Sequence, residues 1–348
     1  MVPAIAVADE LRDQGSTVSF LGARGRVEAD LVPEAGYEVD LLDLSGIDRM
    51  NPLKAARAAA QAAIAVPRAR RLLRDRGAEV VMGGGGFVAG PAGIAAYSLG
   101  IPLVLTEADR HLGLANRLLA RRADRVCLAF AIDRAEGDRY LVTGRPVNRA
   151  VLDGDRDWAR KRFGLDAAAK VLLVMGGSLG ARSINQAAVE AFAERPGRNF
   201  DVIHVAGRRD FSELTERLRG AAHAERYTLI EYEPDLGDCL AACDLVLARS
   251  GGSIFELTAT GRPGVLVPYP FATADHQSAN AAWMADAGAA LVVKDDALSA
   301  DLILEMISDL FADPGRLAAM SKASACLAMP DAAAEIAEQV QLASRGLN

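Results

Sequence analysis

Four residues that could bind a phosphorylated sugar follow an apolar strand predicted at 244–248; they are Gly251, Gly252, Ser253 and Glu256. A glycine turn between a strand and a helix leaves free backbone N–H groups at the start of the helix, and these groups attract phosphate. Glu256 lies one turn into that helix, where its carboxylate could accept hydrogen bonds from ribose hydroxyls. The alternative is a capping box, in which Ser253 and Glu256 only satisfy the first N–H groups of the helix. The paired glycines favour the ligand site, because a simple cap does not need them.

Two side-chain amides in the next helical segment are also candidates for sugar binding. Gln277 and Asn280 are three residues apart, so they lie on one face of the helix start. Their amide groups could bond the hydroxyls and the amide of a sugar. The alternative is a polar first turn that is capped by Asp275 or Thr273.

A second glycine-rich segment, Gly-Gly-Ser-Leu-Gly-Ala at 176–181, also follows an apolar strand and opens a helix. Gly177, Ser178 and Gly180 could therefore form a cradle for a pyrophosphate or for the leaving group of a donor. The alternative is a tight turn in which Ser178 caps the helix.

Three side chains at the end of the strand predicted at 101–105 could transfer a proton; they are Glu107, Asp109 and His111. The alternative is a loop of solvated charges in which Asp109 caps the next helix. A run of four glycines precedes this region, and its backbone would let a ligand approach closely unless it is only a flexible turn. Its candidate residues are Gly84, Gly85 and Gly86.

Helix and strand patterns alternate along the whole chain and restart after 143–148, a stretch with the composition of a linker. Repeated strand–helix units with short loops predict parallel sheets with helices on both faces. The predicted fold class is therefore α/β, with two doubly wound, Rossmann-like domains at 1–145 and 146–330 and a terminal helix at 331–348. Ligands of such sheets bind beyond the carboxyl ends of the strands, where every glycine segment lies.

Composition limits the classes of partner. The net charge of −7 argues against nucleic acid. Only Cys239 and Cys243 are close in sequence, without a nearby histidine pair, so no metal site is predicted.

The uncharged stretch 80–106 could span a bilayer by length, but its glycines and prolines predict a strand, a loop, a helix and a strand. A basic rim beside Ile64 either rests on an anionic membrane surface or is a solvated helix face. Its arginines are Arg68, Arg70, Arg71, Arg74 and Arg76.

Taken in order, these segments resemble the MurG family, the UDP-N-acetylglucosamine:undecaprenyl-pyrophosphoryl-N-acetylmuramyl-pentapeptide N-acetylglucosaminyltransferases. The resemblance covers nearly the whole chain and rests on the order and spacing of its motifs. They lie at 2–7, 28–33, 86–91, 113–117, 176–182 and 275–280. The resemblance implies the two-domain B-type glycosyltransferase fold. The UDP-GlcNAc donor would sit on the C-terminal domain, the lipid-linked acceptor would approach the N-terminal domain, and the last helix would cross back.

The resemblance also implies a reaction, which is the inverting transfer of GlcNAc from UDP-GlcNAc to the 4-hydroxyl of lipid I in peptidoglycan synthesis. No cofactor is expected, since UDP-GlcNAc is a substrate, and the enzyme would be peripheral on the cytoplasmic face of the cell membrane. Carried over by position, Ser178 would face the UDP phosphates and Glu256 would bind the ribose. Gln277 and Asn280 would hold the GlcNAc, and the uracil would lie near Tyr232.

The chain departs from the family pattern at several points. Asn148 stands where the family has an arginine, with Arg149 beside it as a stand-in. Glu107 matches an acidic residue of the acceptor side, but Ala108-Asp109 replaces Gln-Asn after it, and the loop before Glu256 is one residue shorter.

In the family, a first strand and a histidine-containing glycine loop come immediately before the residues that match Val2. Here Met1 stands where that loop would end, so the sequence lacks this strand, the loop and its histidine. We therefore expect an exposed sheet edge in the N-terminal domain. The histidine of that loop is a candidate base in the family. Since the sequence lacks it, Asp109 or Glu107 is the expected base in this chain.

Three alternatives fit the same residues. Two are enzymes, namely another UDP-sugar glycosyltransferase with a lipid acceptor and a UDP-GlcNAc epimerase of the same fold. The third is a UDP-sugar-binding protein without turnover, which is compatible with the absence of the family's N-terminal glycine loop from the sequence.

Overall fold

The computed structural model describes residues 1–44, 52–133, 135–177, 180–196, 198–233, 236–272 and 275–346, with the backbone alone described for 52–59. The chain forms two compact units. Unit 1 comprises Met1–Asn148 and Pro330–Asn348, and unit 2 comprises Arg149–Met329. Every described strand pair in both units is parallel.

The described strands of unit 1 form two separate sheets. They are β1 (Ser19–Ala23), β2 (Glu38–Leu42), β3 (Val81–Gly83), β4 (Leu103–Glu107), β5 (Arg125–Leu128) and β6 (Tyr140–Val142). β1 pairs with β2, whereas β3, β4, β5 and β6 pair in sequence order. Among the described residues, β1 and β3 therefore each have a strand partner on one side only. A single apolar core joins the two sheets, since Leu42 of β2 belongs to the same cluster as Leu105 of β4.

The α-helices are numbered along the whole chain, and six of those in the described ranges lie in unit 1. They are α1 (Val2–Asp13), α2 (Glu28–Glu34), α3 (Pro52–Asp75), α4 (Gly86–Leu99), α5 (Leu114–Leu119) and α15 (Ala332–Ser344). α15 packs with α1, β4 and β5, where Ile336 and Val340 share a cluster with Val7, Val104 and Cys127. The stretch 80–106 folds as β3, α4 and β4, as predicted. Of the helices in the described ranges, none is long and apolar enough to cross a membrane.

Unit 2 has one continuous sheet. Its strands are β7 (Val171–Met175), β8 (Asp201–Val205), β9 (Tyr227–Ile230), β10 (Leu245–Ala248), β11 (Gly264–Leu266) and β12 (Ala290–Val292). The spatial order is β12-β11-β10-β7-β8-β9. The chain winds outward from β7 to one side and then returns to place β10 on the other side. The direction of winding therefore reverses between β7 and β10, which is the point where ligands of open α/β sheets bind.

Nine described helices belong to unit 2. They are α6 (Arg149–Leu152), α7 (Arg156–Arg162), α8 (Arg182–Val189), α9 (Phe211–Leu218), α10 (Gly237–Ala242), α11 (Ile254–Ala259), α12 (His276–Asp286), α13 (Ala300–Ala312) and α14 (Pro314–Cys326). All five residues of β7 are buried, as expected of a parallel strand covered on both faces. Apolar residues of β7, β8, α8 and α13 form the main core of this unit.

Candidate functional site

The loop after β7 turns sharply on two glycines. Gly177 and Gly180 have φ angles of +87° and +76°, in the left-handed region that favours glycine. The Gly180 N–H donates to the carbonyl oxygen of Gly177 over 2.9 Å. A Cβ atom on Gly180 would lie 2.1 Å from the carbonyl oxygen of Ala206, so the loop rests directly on the segment after β8. Ser178, which was predicted to face phosphate here, lies outside the described residues.

The loop after β10 leads into α11 without a serine cap. The Ser253 hydroxyl donates to the carbonyl oxygen of Arg249 over 3.4 Å and accepts no bond from the helix start. The serine half of the capping box is therefore not formed. The carbonyl oxygen of Gly252 accepts a hydrogen bond from the N–H of Phe255 over 3.2 Å, which tightens the turn. Glu256 is half-buried in the first turn of α11 and has interactions of its own.

The two amides predicted to bind a sugar have different surroundings. Gln277 Oε1 accepts a hydrogen bond from the N–H of Tyr269 over 3.0 Å, which leaves Nε2 on the side of the loop after β10. A Cβ atom on Gly251 would lie 3.6 Å from this Nε2 atom. Asn280 is buried, and its Nδ2 donates to the carbonyl oxygen of Ser250 over 3.0 Å. Gln277 therefore presents donors at the loop, whereas Asn280 holds the loop from beneath.

The start of α12 differs from the alternative in which Asp275 caps it. Asp275 has a φ angle of 53°, an uncommon left-handed conformation for a residue other than glycine. Its side chain makes no capping bond and instead accepts a hydrogen bond from the Ser278 hydroxyl over 2.6 Å. Thr273, the other capping candidate, lies outside the described residues.

Arg249 connects the segments that follow β7, β11 and β12 at this edge of the sheet, and sequence reasoning missed it. Its guanidinium donates to the carbonyl oxygens of Val267 and Pro268 over 3.1 and 3.2 Å. It also donates to the Ser183 hydroxyl over 2.8 Å and lies 2.7 Å from the Asp295 carboxylate. The signal in the sequence is an arginine at the end of a buried strand, where a charge needs several partners.

The remaining donor-side candidates lie at the edges of unit 2 and at its boundary. Tyr232 follows β9 and is 37% exposed, and the Arg208 guanidinium lies 4.9 Å from the centre of its ring. Asn148 is the last residue of the first segment of unit 1, and Arg149 begins α6. Both residues have interactions of their own, and their role toward a donor stays a prediction.

In unit 1, Glu107 organises the loop after β4. Its Oε1 accepts hydrogen bonds from the N–H groups of Ala108 and Asp109 over 3.0 and 3.2 Å. Its Oε2 accepts from the Gly113 N–H over 2.7 Å and from Asn116 Nδ2 over 2.9 Å. Four donors thus converge on one buried carboxylate, so both of its oxygens already accept hydrogen bonds within the loop.

The other acceptor-side candidates are less buried than Glu107. Asp109 is half-buried and His111 is exposed. Gly85 and Gly86 have φ angles of 77° and 72°, so the turn before α4 requires a conformation that favours glycine. Gly84 is exposed between β3 and this turn. Gly84 and Gly85 therefore turn the chain between β3 and α4, and contact of these glycines with a ligand stays a prediction.

Two family models match this chain. The glycosyltransferase family 28 N-terminal domain matches residues 1–128, and the family 28 C-terminal domain matches residues 171–336. Together with the two α/β units, these matches define the class of the protein as a glycosyltransferase with two Rossmann-like domains. The predicted fold class is therefore confirmed.

Individual relatives specify the family further. The UDP-N-acetylglucosamine–N-acetylmuramyl-(pentapeptide) pyrophosphoryl-undecaprenol N-acetylglucosamine transferase of Clavibacter sepedonicus is 40% identical over 97% of this chain and 92% of its own length. The enzyme of the same name from Chlorobium limicola is 36% identical over 98% of this chain and 95% of its own length. The crystal structure of Acinetobacter baumannii MurG superposes with a TM-score of 0.76 at 26% identity and covers 97% of this chain and 95% of that one. The chain belongs to the MurG family, as the sequence motifs predict.

A UDP-GlcNAc 2-epimerase from Neisseria meningitidis, solved with UDP-GlcNAc, also superposes with a TM-score of 0.69. It covers 98% of this chain and 96% of its own, but its identity is only 16%. This likeness shows a shared fold alone.

Proposed function

We propose that this chain transfers GlcNAc from UDP-GlcNAc to the 4-hydroxyl of lipid I, with inversion, and so forms lipid II. Membership of the MurG family supports the reaction. The observation that carries the donor site is the topology of unit 2, in which β7 and β10 are neighbours at the point of reversal. The glycine loops that follow these two strands lie at the carboxyl edge, where an open α/β sheet binds its ligand.

Unit 2 supplies the donor contacts in this proposal. The loop after β7 and the start of α8 face the diphosphate, where free N–H groups and the helix dipole favour negative charge. Glu256 accepts hydrogen bonds from the ribose, and Gln277 Nε2 donates to the GlcNAc. Asn280 acts beneath the loop rather than on the sugar, because its Nδ2 already bonds a backbone carbonyl. Tyr232 offers a flat ring for the uracil.

The reaction moves one proton and one leaving group. The acceptor O4 forms a bond to the anomeric carbon while the bond from that carbon to the β-phosphate oxygen breaks. The O4 proton passes to a carboxylate, and UDP leaves with the negative charge, which the start of α8 stabilises. We assign the base to Asp109, because the Glu107 carboxylate already accepts four hydrogen bonds.

Transfer of radiolabelled GlcNAc to lipid I tests the proposal. We expect lipid II and free UDP in equal amounts. Formation of UDP-ManNAc without acceptor would favour the epimerase instead, and transfer only to a different lipid would favour the other glycosyltransferase. Binding of UDP in calorimetry without UDP release in the presence of lipid I would favour a binding protein.

An apolar and basic face of unit 1 supports a peripheral position on the membrane. α3 packs on α4, and α4 packs on α5. Ile64 of α3, Tyr97 of α4 and Leu118 of α5 are 75%, 58% and 63% exposed. The Arg122 guanidinium lies 5.3 Å from the Tyr97 ring centre. We place this apolar–basic face on the anionic cytoplasmic leaflet, where apolar burial and positive charge act together.

The arginines predicted for this face are not equivalent. Arg68 pairs with Asp43 over 3.3 Å, and Arg71 lies 3.5 Å from Asp75, yet both remain more than half exposed. Arg76, by contrast, bonds the carboxylates of β2.

Sedimentation with vesicles of anionic phospholipid tests the membrane position. The double variant Ile64→Glu/Leu118→Glu should lose most vesicle binding. Phe271→Glu changes an equally exposed apolar residue of unit 2 and should bind like the unaltered protein. Equal binding by all three proteins would contradict the placement.

A further inference from the structure

A chain of four buried polar side chains crosses unit 2 from β9 to the loop after β7. The Tyr227 hydroxyl lies 2.7 Å from His204 Nδ1, and His204 Nε2 lies 3.0 Å from Asn185 Oδ1. Asn185 Nδ2 then contacts the carbonyl oxygen of Ala206 over 2.8 Å and Asp210 Oδ2 over 2.9 Å. His204 and Asn185 are fully buried in an otherwise apolar core. We call these residues the Asn185–His204 chain.

The direction of each hydrogen bond follows from chemistry. The partners of Asn185 Nδ2 are a carbonyl oxygen and a carboxylate, which only accept, so this atom must be the amide nitrogen. Asn185 Oδ1 must then accept, and His204 Nε2 must carry the ring proton. Nδ1 of His204 therefore accepts from the Tyr227 hydroxyl. Burial lowers the pKa of His204 to about 3, so the ring is neutral, as this arrangement requires.

The Asn185–His204 chain ends directly beneath the loop that contains Gly177 and Gly180. A Cβ atom on Gly180 would lie 2.1 Å from the carbonyl oxygen of Ala206 and 3.2 Å from Asn185 Nδ2. The backbone of Gly180 therefore packs against the carbonyl group and the amide that the chain holds in place. A shift of Asn185 would therefore also move the Ala206 carbonyl group against which Gly180 packs.

The end of the Asn185–His204 chain next to the loop is fixed by charge. Asp210 is 3% exposed and accepts two hydrogen bonds from the Arg209 guanidinium, each over 3.1 Å. Every polar atom along the chain thus has a partner, and a fully satisfied buried network is rigid. An apolar side chain in place of His204 would leave the Tyr227 hydroxyl and Asn185 Oδ1 without their partners.

We propose that His204 is a positioning residue for the donor: acting through Asn185, it fixes the Ala206 carbonyl and so sets the position of Gly180, which ends the loop proposed to receive the UDP diphosphate. His204 touches no substrate in this assignment. The inference rests on the proposed function, in which the loop after β7 binds UDP-GlcNAc.

Three variants test this role. His204→Phe removes both ring nitrogens, whereas His204→Gln retains one donor and one acceptor at similar positions. Ser324→Ala is the matched control, because Ser324 is equally buried in unit 2 and bonds the carbonyl oxygen of Arg262 over 2.8 Å, among elements that do not form the loop after β7. Calorimetry with UDP gives Kd, and the transfer assay gives KM for UDP-GlcNAc, KM for lipid I and kcat.

We expect His204→Phe to raise Kd for UDP and KM for UDP-GlcNAc by tenfold or more, with little change in KM for lipid I. His204→Gln should recover most of this loss, and Ser324→Ala should lower the unfolding midpoint without changing Kd. If His204→Phe does not fold, Tyr227→Phe takes its place with a smaller expected rise in Kd.

A Kd for UDP within twofold of the unaltered protein in His204→Phe, or in Tyr227→Phe where that variant replaces it, would overturn the proposal. A rise of equal size in Ser324→Ala would do the same, since the effect would then follow general destabilisation. Failure of the unaltered protein to bind UDP would instead remove the proposed donor site on which the inference rests.

Discussion

The two units hold their candidate site residues in different ways. In unit 2 a continuous six-stranded sheet positions the segments that follow its strands, and Arg249, Asn280 and the Asn185–His204 chain tie these segments to one another. In unit 1 the described strands form two sheets, and one side chain, Glu107, gathers the loop after β4. The proposed donor site of unit 2 is therefore held by side chains from several elements, whereas the loop after β4 in unit 1 is held by a single carboxylate. Variants of the two units should consequently change different kinetic constants.

The largest separation is expected for the proposed base in unit 1. Asp109→Asn removes the proton acceptor and should lower kcat by roughly a hundredfold to ten-thousandfold, the usual contribution of general base catalysis. Kd for UDP should not change. Asp133→Asn is the control, since it removes an exposed carboxylate of unit 1 with the same change of charge. Turnover by Asp109→Asn at the rate of the control would show that Asp109 is not the base.

Glu107→Gln tests whether one carboxylate organises the loop after β4. The substitution replaces an acceptor oxygen with an amide that faces N–H donors, and a lost charged hydrogen bond costs about 1.5–3 kcal/mol. We expect faster hydrogen exchange at 103–116, a lower kcat and unchanged UDP binding. Glu79→Gln, an exposed glutamate of unit 1, should change none of these. Unchanged exchange in Glu107→Gln would show that the loop does not need this carboxylate.

The fold could be predicted from the sequence because its signals are local and repeated. The apolar run of β7 and the glycines after it predict a buried parallel strand and a turn, and both are present. The uncharged stretch 80–106 is predicted to contain two strands and a helix, because Gly83 to Gly86 and Pro102 would interrupt any continuous membrane-spanning helix. The structure has β3, α4 and β4 in this stretch.

The site could be predicted only in part, because the missing information lies in pairs of residues distant in sequence. The contacts of Arg249 with Asp295 and of His204 with Asn185 depend on how the strands and helices of unit 2 pack. Nor does the spacing of Gln277 and Asn280 reveal that one amide faces the loop while the other lies under it. The histidine of β8, between the apolar residues Ile203 and Val205, is the available signal, since a buried polar group needs partners.

The pH dependence of stability tests the tighter organisation of unit 2. Burial lowers the pKa of His204 to about 3, whereas an unfolded histidine has a pKa of about 6.5. The unfolded state therefore binds a proton that the folded state excludes. The contribution of His204 to the free energy of unfolding is consequently highest above pH 6.5 and decreases as the pH falls below this value. At pH 5 the loss should be about 2 kcal/mol.

Urea unfolding followed by tryptophan fluorescence measures this loss, because both tryptophans, Trp158 and Trp283, lie in unit 2. Besides Tyr227 and Asn185, the charged group near the ring is Asp210, whose carboxylate opposes the shift. His204→Gln lacks the titrating group and should show a flatter profile between pH 7 and 5. Parallel profiles for the two proteins would place the pH dependence elsewhere.

The smallest expected effect distinguishes the two amides of unit 2. Gln277→Glu keeps the oxygen that accepts from the Tyr269 N–H but loses the Nε2 donors that face the loop after β10. One lost hydrogen bond to a neutral sugar oxygen is worth about 1 kcal/mol, so KM for UDP-GlcNAc should rise about five- to tenfold. UDP lacks the GlcNAc, so Kd for UDP should stay within twofold of its value in the unaltered protein. Ser278→Ala, one residue further along α12, should leave both constants unchanged. An equal rise for UDP and UDP-GlcNAc in Gln277→Glu would mean that Gln277 supports the loop, as Asn280 does, and does not contact the sugar.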